Sequence, residues 1–179
     1  ELLAQQLSQL MSRRERDRLR APVLQSTGAA TLALHEQLLA VLPFQLTAAQ
    51  RRVGDEIAAD LARPVPMHRL LQGDVGSGKT VVAALAATLC IDAGWQCALM
   101  APTEILAEQH FRKLIGWLEP LLEPRGLKVA WLFGGQKKKE RDAMLALVES
   151  GQAALVVGTH AIIQERVVFK NLALAIIDE

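Results

Sequence analysis

Apolar residues change their spacing near residue 44, and the spacing on each side predicts different elements. Before that point they recur every three or four positions over residues 1–20 and again from Leu32 to Leu42, where Pro43 ends the pattern. After it, helix-length segments alternate with short runs that are apolar throughout, such as Ala154 to Val157. We therefore expect a helical linker or appendage over residues 1–43 and a separate domain over residues 44–179.

The second part of the chain predicts alternating strands and helices. Thr47 followed by Gln50 is a capping-box pattern that opens the first helix. Strands that are apolar throughout suit a parallel sheet with helices on both faces, so we expect a three-layer α/β fold with a mostly parallel sheet. The predicted strands are 67–72, 96–100, 128–132, 154–157 and 174–177, and the predicted helices are 47–61, 78–93, 105–117 and 137–149.

Composition and charge exclude several classes of protein. Lys and Arg total 20 against 19 Asp and Glu, so a polyanion partner would have to be held by a local site. The longest apolar run, Val81 to Ile91, is shorter than the roughly 18 to 20 residues that span a bilayer, and the first residues lack a secretory pattern. We therefore expect a cytoplasmic protein without a membrane partner. Cys90 and Cys97 lie in apolar stretches and are expected to be buried free thiols.

One glycine-rich segment carries the strongest chemical signal. It matches GxxxxGK[ST] between a predicted strand and a predicted helix, the arrangement in which backbone amides surround nucleotide phosphates at a helix N-terminus. Lys79 would reach the β and γ phosphates of ATP, and the Thr80 hydroxyl would ligate Mg²⁺. The candidate nucleotide-binding residues are Gly73, Asp74, Val75, Gly76, Ser77, Gly78, Lys79 and Thr80.

Two carboxylates follow the last apolar strand. Parallel α/β sheets bind ligands at the carboxyl ends of their strands, which is where Asp178 and Glu179 would lie. We expect Asp178 to hold the Mg²⁺ and Glu179 to orient and deprotonate the attacking water. A strand followed by Asp-Glu is a weak signal alone. It gains weight here because the glycine-rich phosphate-binding loop (residues 73–80, the P-loop) lies upstream.

Several blocks of sequence together resemble a known family. GDVGSGKT, APTEILAEQH (101–110), VGTHAIIQ (157–164) and the final IIDE are similar to the first motor domain of superfamily 2 helicases, and most closely to the RecG family. LPFQLTAAQ (42–50) is similar to the segment that precedes the P-loop in that family. The resemblance covers about residues 42–179 and implies a RecA-like P-loop NTPase fold.

The resemblance also implies roles for residues outside the P-loop. Gln50 would contact the adenine base, although a purely capping role also fits. The expected contacts with the DNA backbone are Pro102, Thr103, Thr159 and His160. Thr103 also suits an N-cap, and a local hydrogen bond would equally explain His160. For the Lys137 to Lys139 run, phosphate contact and an ordinary solvated face both stay open.

The implied activity is ATP-driven translocation on double-stranded DNA that remodels branched DNA, such as stalled forks and Holliday junctions. Family members carry a second RecA-like domain and a wedge domain, neither of which this chain contains. A transcription-repair coupling translocase of the Mfd type and a non-catalytic nucleotide-binding module are the alternatives. An intact set of Lys79, Thr80, Asp178 and Glu179 favours an enzyme, because a module that only binds nucleotide does not need Glu179.

Overall fold

The computed structural model describes residues 2–25, 33–164 and 166–178. Within these ranges the predicted alternation of helices and strands is observed, with one predicted strand missing. The helices are α1 (Leu2–Arg18), α2 (Leu34–Val41), α3 (Ala48–Leu61), α4 (Lys79–Asp92), α5 (Glu104–Leu122) and α6 (Lys138–Ser150), and the strands are β1 (Gln96–Met100), β2 (Lys128–Leu132), β3 (Ala153–Gly158) and β4 (Leu172–Ile177). Short 3₁₀ helices span Glu123–Arg125 and His160–Ile163.

The four strands form one parallel sheet in the order β2-β3-β1-β4. All their carboxyl ends therefore lie at one edge of the sheet. In β1, Leu99 is paired with Val157 of β3 on one side and with Ile176 of β4 on the other. The expected α/β fold with a mostly parallel sheet is confirmed.

Hydrophobic clusters cover both faces of the sheet. Leu155 and Val157 of β3 belong to the larger cluster, which contains α4 and α5, whereas Val156 points into the smaller cluster beneath α6. This alternation follows from the period of two along a strand. Every residue of β3 is buried, which explains why its sequence is apolar throughout.

Helix α2 packs into this core, although the sequence predicted an appendage up to residue 43. Leu34 and Leu38 are completely buried against the cluster that contains α4 and α5. The backbone N–H of His35 also donates to the Asp92 carboxylate at the end of α4 (3.4 Å). An apolar helical face does not reveal its partner, so its spacing alone could not predict this packing. The domain boundary at residue 43 stays a prediction.

Helix α1 differs from α2, because several of its apolar residues are exposed. Leu7, Leu10 and Met11 are each more than half exposed. The predicted helix is present. None of the helices in the described ranges is long and apolar enough to cross a membrane.

Residues 67–72 form no strand, so that prediction is wrong. The segment lines a cleft together with β4 but does not join the sheet. Arg69 fixes the segment to α3 instead, through Asp60 (2.8 Å) and Glu56 (2.8 Å). The hydrogen bond that Arg69 donates to Asp60 raises the pKa of Arg69, which keeps the guanidinium charged.

Both cysteines are buried free thiols, as predicted. Burial raises the pKa of Cys90 to about 12 and that of Cys97 well above its ordinary value. A thiol is nucleophilic as the thiolate, so neither group is suited to covalent catalysis near neutral pH.

Gln96 joins three elements at the start of β1. Its side-chain Nε2 donates to the carbonyl oxygens of Val148 (2.9 Å) and Ala153 (2.8 Å), and its Oε1 accepts from the backbone N–H of Asn171 (3.0 Å). The residue is only 2% exposed. One buried amide therefore ties β1 to the end of α6, the start of β3 and the residue before β4.

Substitution Gln96→Met should lower the free energy of unfolding by about 3 kcal/mol, since each buried polar group left without a partner costs about 1–3 kcal/mol. Urea denaturation of the chain would measure the change. Gln152→Met is the matched control at an exposed position and should change stability by less than about 0.5 kcal/mol. Equal stability of the Gln96→Met variant and the parent would contradict this role.

Candidate nucleotide site and the adjoining sheet edge

The glycine-rich segment forms a tight loop that leads directly into α4. Gly76 and Gly78 have φ angles of 84° and 82°, a left-handed region that favours glycine, and Gly78 is the N-cap of α4. A Cβ on Gly73 would lie 2.6 Å from Ser77 Oγ, so a side chain there would force Ser77 to shift. The predicted loop before a helix N-terminus is therefore present.

Lys79 lies across this loop. Its ammonium donates to the carbonyl oxygens of Gly73 (2.5 Å) and Asp74 (2.9 Å). Lys79 and Thr80 are the first two residues of α4, so the cation and the hydroxyl sit at the positive end of the helix dipole. An anion at this position would meet both a charge and backbone N–H groups.

Gln50 connects α3 to the loop. Its Oε1 accepts from the Thr47 N–H (2.9 Å), and its Nε2 donates to the Ser77 carbonyl (3.0 Å). The Thr47 hydroxyl accepts from the Gln50 N–H (3.2 Å), which completes the predicted capping box. Capping by Gln50 is confirmed, and its contact with adenine stays a prediction.

A cleft of about 850 Å³ brings most of the predicted site together. It lies between the P-loop, the N-terminus of α3 and β4. Its lining includes Gln50, Val75, Gly76, Gly78, Lys79, Thr80 and Asp178. Glu179, the predicted base, lies outside the described residues. The cleft thus joins the P-loop to the end of β4 although about a hundred residues separate them in sequence.

Asp178 is held at both its backbone and its side chain. Its N–H donates to the Met100 carbonyl (2.8 Å), which continues the pairing of β4 with β1. Its Oδ2 lies 2.5 Å from Nε2 of His110 on α5. No sequence pattern indicates a role for His110, although it ends the APTEILAEQH block. Only the fold brings the two residues together.

Thr80 and Asp178 suit a Mg²⁺ ion that takes its remaining ligands from phosphate and water. Mg²⁺ prefers oxygen ligands and is usually bound by one or two protein groups together with substrate phosphates. The described residues contain no group of three or more His, Cys, Asp or Glu side chains that could hold a metal alone. A hydroxyl and a carboxylate in one cleft with a phosphate loop fit that pattern.

The predicted DNA contacts lie at the neighbouring carboxyl ends of β1 and β3. The Ala101 N–H donates to the Gly158 carbonyl (2.9 Å), which places the two following turns side by side. Pro102 and Thr103 are exposed, and the Thr103 hydroxyl accepts from the Leu106 N–H (3.3 Å) as the N-cap of α5. The capping interpretation of Thr103 is confirmed and leaves the residue accessible.

In the second turn the two candidates differ in accessibility. Thr159 is only 3% exposed, and its hydroxyl accepts from the Ala161 N–H (3.5 Å). His160 is exposed. The structure therefore places His160, and not the Thr159 side chain, at the surface of this edge. Lys137, Lys138 and Lys139 are also exposed, after β2 at the same end of the sheet.

The tryptophans pack against the hydrophobic core. Trp131 stacks between Phe111 (centroids 5.1 Å apart) and Phe133 (5.2 Å), and Trp117 makes an edge contact with Phe44 (6.2 Å). Both tryptophans lie against the larger hydrophobic cluster.

Comparison with known protein families matches residues 47–179 to the DEAD/DEAH box helicases. This chain belongs to the DEAD/DEAH box helicase family. Membership in that family implies the use of ATP. The matched region runs from the cap of α3 through the P-loop to the carboxylates after β4.

Individual relatives agree with the resemblance to the RecG family. ATP-dependent DNA helicase RecG of Escherichia coli (strain K12) is 54% identical over 179 residues, which are 100% of this chain and 25% of that protein. RecG of Haemophilus influenzae is 56% identical over 146 residues, or 82% of this chain and 20% of that protein. The chain therefore spans about a quarter of the length of these curated relatives.

A solved structure agrees as well. The structure of RecG bound to a three-way DNA junction aligns with a TM-score of 0.80 and 43% identity, and it covers 94% of this chain and 22% of that chain. The expected RecA-like fold is thereby confirmed.

Substitution Gly78→Ala should weaken binding of a fluorescent ATP analogue to the helicase at least tenfold. A Cβ at this left-handed position is strained, and it would also overlap the amide of Gln50. Equilibrium titration with the analogue would measure the loss. Gly54→Ala, in open space on α3, should leave the affinity unchanged. Equal affinities of the Gly78→Ala variant and the parent would show that the loop does not require this glycine.

Proposed function

We propose that the chain is the first part of the motor of an ATP-driven translocase that acts on double-stranded, branched DNA. The single observation that carries the proposal is the cleft in which the P-loop, Lys79 and Asp178 meet beside an exposed edge of candidate DNA contacts. The names of the curated relatives, ATP-dependent DNA helicase RecG, support it. Residues 44–179 would form the domain that binds ATP.

The phosphates of ATP would bind at the P-loop, which runs from Gly73 to Thr80. The Lys79 ammonium would leave the two loop carbonyls that it now contacts and bind phosphate oxygens. The free energy of its new charge-assisted bonds offsets the loss of the old ones. The adenine base of ATP would lie beside α3, where Gln50 is already oriented by the capping box.

Mg²⁺ would be held by Thr80 and Asp178 and, when bound, would neutralise charge that develops on the phosphates. Glu179 would orient the attacking water and accept its proton, as the pair of carboxylates after the strand predicts. Asp178 keeps its carboxylate in the cleft through its backbone bond to Met100.

DNA would lie across the carboxyl ends of β1 and β3. Pro102, Thr103 and His160 are exposed there, and Thr159 would contribute through its backbone, because its side chain is buried. Contacts of this kind position the DNA backbone and carry no sequence information. The near-zero net charge agrees with a grip made by a few hydroxyl and amide groups.

The chain spans about a quarter of the length of its curated relatives, so other parts of the full-length protein would take part in the complete activity. We propose that these parts include a second RecA-like domain and a wedge domain, as the resemblance to the RecG family implies. Arginines from a second motor domain typically raise the rate of NTP hydrolysis by about 10³ to 10⁵ in related enzymes. A cytoplasmic location belongs to the same proposal. No observation favours the coupling translocase or the non-catalytic module.

In the full-length protein, Lys79→Ala should lower DNA-stimulated ATP hydrolysis by about 10²-fold or more, because it removes a cation that stabilises developing phosphate charge. The hydrolysis rate would be measured without DNA, with linear duplex and with a three-way junction, and Glu179→Gln should show a comparable loss. Lys128→Ala, at an exposed position of β2, is the matched control.

Hydrolysis by the Lys79→Ala and Glu179→Gln variants at the parental rate would contradict the proposal that these residues catalyse ATP hydrolysis. A parental rate that responds equally to linear duplex and to the junction would contradict the preference for branched DNA.

A further inference from the structure

The contact between His110 and Asp178 joins α5 to the end of β4. His110 Nε2 and Asp178 Oδ2 are 2.5 Å apart, and the two residues are 68 positions apart in sequence. We propose that His110 is a positioning residue that holds the Asp178 carboxylate in the rotamer that binds Mg²⁺. The inference rests on the proposed function, since it needs Asp178 to be a metal ligand.

The backbone of Asp178 alone does not orient its carboxylate. The N–H bond to Met100 fixes the main chain, but rotation about the side-chain bonds remains possible. The Asp178 side chain is 33% exposed, whereas the His110 side chain is 16% exposed on a regular helix. The better anchored partner is therefore the histidine, and a bond to it removes the rotational freedom of the carboxylate.

The bond also divides the work between the two carboxylate oxygens. A carboxylate only accepts, so His110 Nε2 must carry the hydrogen. Oδ2 is then engaged, and Oδ1 is the oxygen available to a cation or to its water. Groups that hydrogen-bond a ligating side chain typically change metal affinity by about 10- to 100-fold when they are removed.

The chain offers substitutions that separate positioning from packing. In His110→Gln, the amide Nε2 has nearly the same reach as the imidazole Nε2 and still donates. His110→Asn keeps an amide but is too short, and His110→Leu removes the donor while it keeps an apolar body. Gln109→Leu changes the preceding, exposed residue and serves as the matched control.

The experiment measures Mn²⁺ binding to the full-length protein with a non-hydrolysable ATP analogue by electron paramagnetic resonance. We expect His110→Leu and His110→Asn to weaken Mn²⁺ affinity about 10-fold or more, and His110→Gln to stay within about threefold of the parent. In an Asp178→Asn background, His110→Leu should have no further effect, because the carboxylate that it orients is gone. Gln109→Leu should bind Mn²⁺ like the parent.

Parental Mn²⁺ affinity in His110→Leu would overturn the inference, and so would an equal loss in His110→Leu and His110→Gln. A further loss in the Asp178→Asn background would overturn it as well. Thermal unfolding of each variant identifies any that fail to fold. If His110→Leu fails to fold, the comparison of Mn²⁺ affinity between His110→Gln and His110→Asn tests the inference. If the His110 variants lose Mn²⁺ affinity as expected while the parent shows no DNA-stimulated hydrolysis, the inference stands and the proposed translocase fails.

Discussion

The parallel register of β1 with its two neighbours is the constraint on which the site depends. Met100 is paired with Gly158 of β3 and with Ile177 of β4. The segments that follow β1, β3 and β4 therefore leave the sheet side by side. One of them leads to Thr103, one to His160 and one to Asp178. The register cannot slip by one residue, since every side chain would then change face. Gly158 also has no space for a Cβ, because the Leu132 carbonyl oxygen occupies that position.

Helix α5 connects this edge to the candidate nucleotide cleft, in which α4 begins. Helix α4 begins with Lys79 and Thr80 and is buried along most of its length. Helix α5 begins at the exposed turn of Thr103 and reaches Asp178 through His110 about two turns later. The candidate DNA edge and the candidate metal ligand therefore contact the same rigid element. In the proposed translocase, α5 would give bound DNA a physical route to the metal ligand that needs no contact between DNA and nucleotide.

Elements whose structure depends on residues close in sequence were predicted correctly. Strands buried on both faces are apolar throughout, so β1 and β2 were predicted with their observed bounds, and the Thr47 capping box and the P-loop could be read directly. Features that depend on partners distant in sequence could not be predicted. Residues 67–72 were predicted as a strand but pair with no strand among the described residues. The apolar spacing of Leu34 and Leu38 does not indicate that they face α4, and nothing near His110 in sequence indicates Asp178. Helix α5 also continues five residues past Trp117 and through Pro120, because Leu118 and Leu122 are buried.

The central claim is that nucleotide binds between the P-loop and the end of β4. Hydrogen–deuterium exchange of the full-length protein, with and without a non-hydrolysable ATP analogue and Mg²⁺, tests it most directly. We predict that the nucleotide slows exchange at residues 73–80 and 176–178 and at the start of α3, with little change in α1. Protection that spares both the P-loop and the end of β4, or that appears only at the aromatic cluster around Trp131, would contradict the account.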